Sequence, residues 1–473
     1  MRAPGDILLL SCYELGHQPL SLAWPLAFLQ QAGFNPHALD LAVQPFDPAA
    51  AKTARLVAIA VPMHTALRIG LSAARQVRAL NPTAHVVCFG LYAWLNADYL
   101  LADCVDSVIA GEYEQPLVAL AQALADGQPL SAIPGLHRAQ QPAAPNLERL
   151  PFITPQRASL PTAQHYAHLQ IGAEQRLAGY VEASRGCLHT CRHCPIPPVY
   201  QGRFFVVPAD VVLADVRQQV AAGVRHITFG DPDFLNGPGH ALRLLHALHA
   251  EFPDLTFDFT AKVEHLLRHA NLLPEFAANG VAFIVSAFES VSDRVLARLS
   301  KGHTRADMER LLALARAANL PLQPTWMPFT PWTTLADYLD LLNWIRTQGL
   351  IPNVPAVQLT IRMLVPPGSA LRNHPDVATW CGPLDAENFV YHWAHPDPRM
   401  DALQAELTAL AATAPADPYA AFHQIEAAAY AAAGLTPPAP YCPLTDAIAP
   451  PRLTENWFCC AEPTADQVDR LTK

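Results

Sequence analysis

The chain has 473 residues, 51% of them apolar, and carries 31 Lys and Arg against 41 Asp and Glu for a net charge of −10. That length suits two or three domains with sizeable cores, and the lack of any Lys/Arg cluster removes the electrostatic footprint of a nucleic-acid binder. No run is apolar for long enough to span a membrane, and the strand-like run Asp6–Cys12 is too short for a secretion-signal core plus cleavage site. Ten cysteines in such a chain favour metal or redox chemistry over a disulfide framework, so a cytoplasmic protein is expected.

Residues 1–128 alternate short apolar runs with amphipathic stretches. Strands are predicted over Ile7–Cys12, His37–Leu41, Leu56–Val61, His85–Gly90 and Asp106–Ala110. Helices are predicted over Ser21–Ala32, Thr65–Leu80 (stopped by Asn81-Pro82) and Gln115–Asp126. The alternation predicts an α/β fold, here a Rossmann-like doubly wound parallel sheet covered on both faces, whose ligands meet the carboxyl ends of the strands. Val61-Pro62-Met63-His64-Thr65, Cys88-Phe89-Gly90-Leu91 and Gly111-Glu112-Tyr113-Glu114 sit at those ends. His64 reads equally as a ligand contact or as the polar start of a helix. Together the segments resemble the cobalamin-binding-type domain attached to many radical enzymes, and the resemblance implies a cobalamin site. The Asp-x-His-x-x-Gly motif that gives cobalt a histidine is absent, so an empty remnant or a dimerisation and lid module stays open.

Residues 129–176 form a connector rich in Pro, Ala and Gln. Residues 177–368 read as six strand–helix units, a partial (βα)6 TIM-type barrel. Its strands are expected over Ala178–Ser184, His226–Gly230, Thr256–Ala261, Ala282–Phe288, Leu322–Met327 and Ala356–Met363. In barrels the chemistry gathers at the C-terminal ends of the strands.

After the first barrel strand comes Gly186-Cys187-Leu188-His189-Thr190-Cys191-Arg192-His193-Cys194-Pro195. Three thiolates so closely spaced can converge on one iron–sulfur cluster, and three ligands for four irons leave one iron open to a small chelating molecule. A zinc site completed by His189 or His193, or structural thiols, are the alternatives. The spacing, with Glu182-Ala183-Ser184-Arg185-Gly186 before it, resembles the radical S-adenosylmethionine (SAM) superfamily. That resemblance implies a 4Fe-4S cluster on Cys187, Cys191 and Cys194, SAM on the open iron, and an external electron donor such as a flavodoxin or ferredoxin. It also implies cofactor contacts. His193 would meet the adenine and Met327, in Pro324-Thr325-Trp326-Met327-Pro328, would pack on it. Asp231 and Asp233 would lie near the SAM amino group. Glu289-Ser290 would meet the ribose, Arg362 the methionine carboxylate, and Lys262, after the third strand, would bind the cofactor.

Residues 369–473 turn Ala-rich and mostly α-helical, with helices expected over Asp401–Ala412 and Pro418–Ala433. The chain then ends in Trp457-Phe458-Cys459-Cys460-Ala461-Glu462-Pro463. Adjacent thiols are a good chelate for a soft, thiophilic ion and a poor disulfide; an inert buried pair is the bland alternative. The ending resembles the radical SAM family named for its CUAEP or CCAEP tail, which implies an active-site tail. A relation to arsinothricin formation would make Cys459, Cys460 and Cys442 ligands of arsenite, the acceptor of a 3-amino-3-carboxypropyl group from SAM. The competing expectations are a cobalamin-dependent radical SAM methyltransferase and a non-catalytic iron–sulfur redox or metalloid sensor.

Overall fold

The computed structural model describes residues 1–441 and 450–455. Cys442, Cys459 and Cys460 lie outside the described residues.

The first sheet is built from β1 (Ile7–Ser11), β2 (His37–Asp40), β3 (Leu56–Ala60), β4 (His85–Phe89), β5 (Ser107–Ile109) and β6 (Leu136–His137), in the order β2-β1-β3-β4-β5-β6. The first five are parallel and β6, from the connector, closes the edge antiparallel. β1 and β3 are buried along their whole length, as strands covered on both faces must be, which is why they read as continuous apolar runs. Helices Leu20–Gln31 and Glu114–Asp126 pack on one face and His64–Leu80 on the other.

The connector also supplies β7 (His168–Ile171), which pairs antiparallel with β8 (Glu174–Val181). β8 opens the second sheet and is followed by β11 (His226–Phe229), β12 (Thr256–Thr260), β13 (Val281–Glu289) and β14 (Leu322–Trp326), all parallel. Between β8 and β11 a small antiparallel pair, β9 (Ser184–Gly186) and β10 (Phe204–Val206), brackets the cysteine segment. Helices cover the outer face of this half-barrel. Two of them start with reciprocal caps, Thr304 with Asp307 and Thr334 with Asp337, each satisfying donors that a helix start leaves free.

The sixth barrel strand expected over 356–363 does not form. Ala356–Leu359 is a 3-10 turn, followed by one parallel bridge from Phe329 to Arg362. The side chain of Gln358 accepts the Trp326 N–H at 3.0 Å, so a side-chain amide replaces the next strand at the edge of β14. Tyr338 Oη holds the turn by donating to Leu359 O at 2.8 Å.

The C-terminal region carries the expected helices as Pro398–Ala412 and Pro418–Ala432, together with an unexpected hairpin, β15 (Cys381–Asp385) and β16 (Val390–Trp393). The chain then returns to the barrel: β17 (Arg452–Leu453) pairs antiparallel with β7. No helix of the described residues is long and apolar enough to cross a membrane.

Candidate active site

The cysteine loop is held at its base. Gly186 has φ +76°, and a Cβ there would come within 2.4 Å of Arg203 O and 2.7 Å of the Tyr200 ring, so only glycine fits the turn. Asn236, beyond the end of β11, accepts the Leu188 N–H at 3.2 Å and donates to Gly186 O at 3.4 Å. Arg192 N donates to Leu299 O at 3.1 Å.

The N-terminal sheet grips the same loop through Arg185. This buried guanidinium lies 2.6 Å from Glu114 Oε1, 3.3 Å from Glu112 Oε2 and 2.7 Å from Glu182 Oε2. It also faces the rings of Trp24, Phe152 and Tyr113 at 5.2 to 5.4 Å, a cation–π arrangement. Burial pushes the Glu112 carboxyl up to about 7 despite Arg185. The Gly111–Glu114 segment is therefore a clasp on the cysteine loop. His64 is also committed, its Nε2 lying 3.0 Å from Asn388 O.

Cys187, Cys191 and Cys194 line one cavity of about 300 Å³ between the two sheets. Burial pushes the Cys187 thiol up to about 11. His189 and His193 are turned to carboxylates instead of completing a zinc set: His189 Nε2 is 3.5 Å from Asp233 Oδ2 and His193 Nε2 is 3.4 Å from Glu289 Oε1. A three-sulfur donor set from one loop, open on the cavity side, fits a cluster with one iron free of protein ligands.

Glu289 ends β13 at a register shift against β14 and has φ +65°, a strained position for a residue with a Cβ. The bulge aims its carboxylate into the cavity. Lys301 Nζ lies 3.2 Å from Glu289 Oε1, and both side chains are buried. Burial alone would raise the carboxyl; the Lys301 charge, then His193, overcome it and hold Glu289 at about 2. The charged Glu289 carboxylate, which lines the cavity, can accept a hydroxyl.

Asp231 also lines the cavity. It accepts from Ala183 N at 2.8 Å and Ser184 Oγ at 2.5 Å, tying β11 to the approach strand, and burial pushes its carboxyl up to about 7. Asp233 lies behind the wall. Burial opposes its charge, but His189, His265 and the Lys262 N–H hold it at about 2. The Lys262 ammonium reaches the cavity, 3.1 Å from His189 Nδ1. Three more expected residues also sit off the wall. Ser290 Oγ accepts the Ser292 N–H, and Met327 packs with Trp332 and Met363. Arg362 is spent on Asp401 at 2.6 Å and lies over the Trp393 ring. With no sixth strand to present it, Arg362 is not among the residues that line this cavity.

The far wall carries groups that the sequence did not single out. Asp258 Oδ1 takes His226 at 2.7 Å and Thr228 Oγ1 at 2.6 Å. His17, from the N-terminal sheet, stacks on Tyr180 with centroids 4.4 Å apart, and burial holds its imidazole down to about 4. These contacts join segments far apart in sequence, and no local pattern announces them.

Residues 181–345 match the radical SAM superfamily. Among curated proteins the chain is similar to ribosomal protein uS12 methylthiotransferase RimO of Chlorobium chlorochromatii, 24% identical over 209 residues, 40% of this chain and 42% of that protein. RimO of Desulfosudis oleivorans is 28% identical over 197 residues, 37% of this chain and 43% of that protein. The chain thus spans less than half the length of these relatives. Among solved structures, the radical SAM methyltransferase TsrM from Kitasatospora setae, with tryptophan and a SAM analogue, superposes with TM-score 0.62 at 18% identity, over 85% of this chain and 88% of that one. The cobalamin-dependent SAM radical enzyme OxsB, with aqua-cobalamin and SAM, gives TM-score 0.67 at 14% identity, over 90% and 71%. At these identities the likeness is one of fold. With the three-thiol cavity lying at the head of the matched residues, the chain carries a radical SAM superfamily domain, and a domain of that kind implies a 4Fe-4S cluster and SAM.

Proposed function

We propose that this enzyme transfers the 3-amino-3-carboxypropyl group of SAM to a thiophilic acceptor such as arsenite, bound by the tail thiols Cys459 and Cys460 with Cys442 as a third ligand. The observation that carries this reading is the return of the chain to the cavity. Arg452, Leu453 and Glu455 line the same cavity as the three loop cysteines, and Glu455 Oε1 accepts from Tyr13 Oη at 2.5 Å. Cys459 and Cys460 follow Glu455 by four and five residues, a reach of at most about 13 to 18 Å.

When bound, cluster and SAM supply reductive cleavage of one sulfonium C–S bond, here the bond to the aminocarboxypropyl group, leaving methylthioadenosine. In this reading Glu289, fixed by Lys301 and His193, binds the ribose diol, and Lys262 faces the methionine carboxylate. Asp231 and Asp233 hold the strand ends in place. An external one-electron donor and a cytoplasmic location belong to the same reading.

A second reading, cobalamin-dependent methyl transfer, draws on the apolar wall that Leu15, Pro62, Leu91 and Tyr92 present to the cavity. That wall suits the face of a macrocycle without an axial histidine, and cobalamin is present in the OxsB structure. Anaerobic turnover of the reconstituted enzyme with reductant and SAM, with and without arsenite, separates the two. Methylthioadenosine that requires arsenite and is lost in Cys459→Ser supports the first. S-adenosylhomocysteine with corrinoid bound to the purified protein supports the second, and 5′-deoxyadenosine indifferent to arsenite rejects the tail assignment.

A further inference from the structure

We propose a second metal site beside the cysteine loop, separate from the cluster: a divalent transition ion held by His189 Nε2, Asp233 Oδ2 and His265 Nδ1. The three atoms form a nearly equilateral triangle. His265 Nδ1 lies 3.1 Å from Asp233 Oδ2, His189 Nε2 lies 3.5 Å from the same oxygen, and the two nitrogens are 3.4 Å apart.

Two of these edges are too long for good N–H···O or N–H···N hydrogen bonds, which centre near about 2.9–3.0 Å. They fit the edge of a tetrahedron around zinc: bonds of about 2.0–2.1 Å give ligand–ligand separations of about 3.3–3.4 Å. The donors are drawn together inside the protein, with Asp233 and His265 fully enclosed and His189 nearly so. No other set of three His, Cys, Asp or Glu groups among the described residues converges in this way.

The surroundings suit an ion as well. Asp233 Oδ1 is occupied by the Leu235 N–H at 2.9 Å. Oδ2 takes the Lys262 N–H at 3.1 Å, which leaves that oxygen one lone pair for a metal. A metal on His189 Nε2 puts the proton on Nδ1, where Glu264 Oε2, 4.0 Å away, is the carboxylate partner that metal-bound histidines usually have. Lys262 then leaves His189 Nδ1 for Glu264, already 3.5 Å from its ammonium, and for the cavity. Two imidazoles and one carboxylate select zinc, cobalt(II) or iron(II) over magnesium or calcium.

Such an ion would join three segments: the cysteine loop through His189, the end of β11 through Asp233, and helix Val263–Arg268 through His265. His189 lies between two cluster cysteines, so the ion would fix the loop from the side opposite Arg185.

The test is metal binding by the cluster-loaded chain in which the tail thiols Cys442, Cys459 and Cys460 are replaced by Ser, so that they cannot take the added ion; this background, intact at His189, Asp233 and His265, is the wild type of the comparisons below. The reconstituted protein is equilibrated anaerobically with Zn²⁺ or Co²⁺, gel-filtered, and its iron and added metal are counted. The expected result is one added ion per chain with iron unchanged, and cobalt absorption of tetrahedral N/O type without thiolate charge transfer. His265→Gln and Asp233→Asn should lose that ion, whereas His265→Cys should keep it and add a thiolate band. Wild type that retains no ion overturns the proposal whether or not the variants fold. So does an ion that displaces iron, shows thiolate bands in wild type, or persists in both loss variants.

Discussion

Replacing Lys301 by Met tests whether the cofactor wall is set by electrostatics. Lys301 Nζ and Glu289 Oε1 are 3.2 Å apart and buried, and Glu289 is held at about 2 against an ordinary 4.5. At about 1.4 kcal/mol per unit, that difference is about 3 kcal/mol of stability. A depressed carboxyl contributes above its unfolded pKa, and the contribution is lost as pH falls from about 4.5 through about 2. Without Lys301, burial is opposed only by His193 and the carboxyl rises above its ordinary value. The sign then reverses: the folded variant keeps a proton that the unfolded chain has released, and its stability falls as pH rises. Thermal unfolding of the iron-free chain should show Lys301→Met below wild type by roughly 3 °C at pH 7.5, with a smaller gap at pH 5. The double variant Lys301→Met/Glu289→Gln should recover much of the loss, because no unpaired charge remains. An equal gap at both pH values, or additive single losses in the double variant, would refute the reasoning.

Cys187→Ser should abolish cluster absorbance and iron retention on reconstitution, with Cys191→Ser and Cys194→Ser behaving alike; a variant that retains full iron would remove that thiol from the ligand set. Gly230→Ala should destabilise by about 1–3 kcal/mol, since a Cβ there meets the Tyr180 ring at 2.3 Å; urea unfolding reads the loss, and an unshifted midpoint contradicts the packing. Asp231, pushed up to about 7 by burial, binds a proton in the folded state between about pH 4 and 7, so it makes stability fall as pH rises across that window. Asp231→Asn should flatten that slope in the same unfolding assay, and an unchanged slope would assign it elsewhere. Glu455→Ala frees the tail from Tyr13; it should lower acceptor-dependent turnover while leaving SAM binding, measured by equilibrium dialysis, within about twofold on the scale of an exposed contact.

The cysteine loop was legible because its three ligands are contiguous: chemistry and spacing occupy the same ten residues. Glu289 was legible as the carboxylate at a strand end, but its backbone was not, because nothing in a Phe-Glu-Ser sequence announces φ +65°. Arg362 misled for an identifiable reason. The run from Ala356 to Met363 is as apolar as a strand, and only the competing Gln358–Trp326 bond decides that the sheet ends at β14. β17 has two residues, below any periodic signal, yet it brings Arg452, Leu453 and Glu455 to the cavity.

These differences follow a division of labour within the site. The loop is braced by Gly186, Asn236 and the Arg185 clasp, and each brace is a buried contact that tolerates few residue types. Such requirements leave local marks in the sequence. In the reading proposed above, the acceptor side is assembled otherwise: His17 comes from the loop after β1, Asp258 from the barrel and Glu455 from the segment after β17. Each is ordinary in its own segment and acquires meaning only where the segments meet. Changing the acceptor therefore requires no change to the loop, and one cluster-binding frame can serve different transfers. Specificity in this enzyme should accordingly respond to substitutions at His17, Asp258 and Glu455 before it responds to any at the cofactor wall.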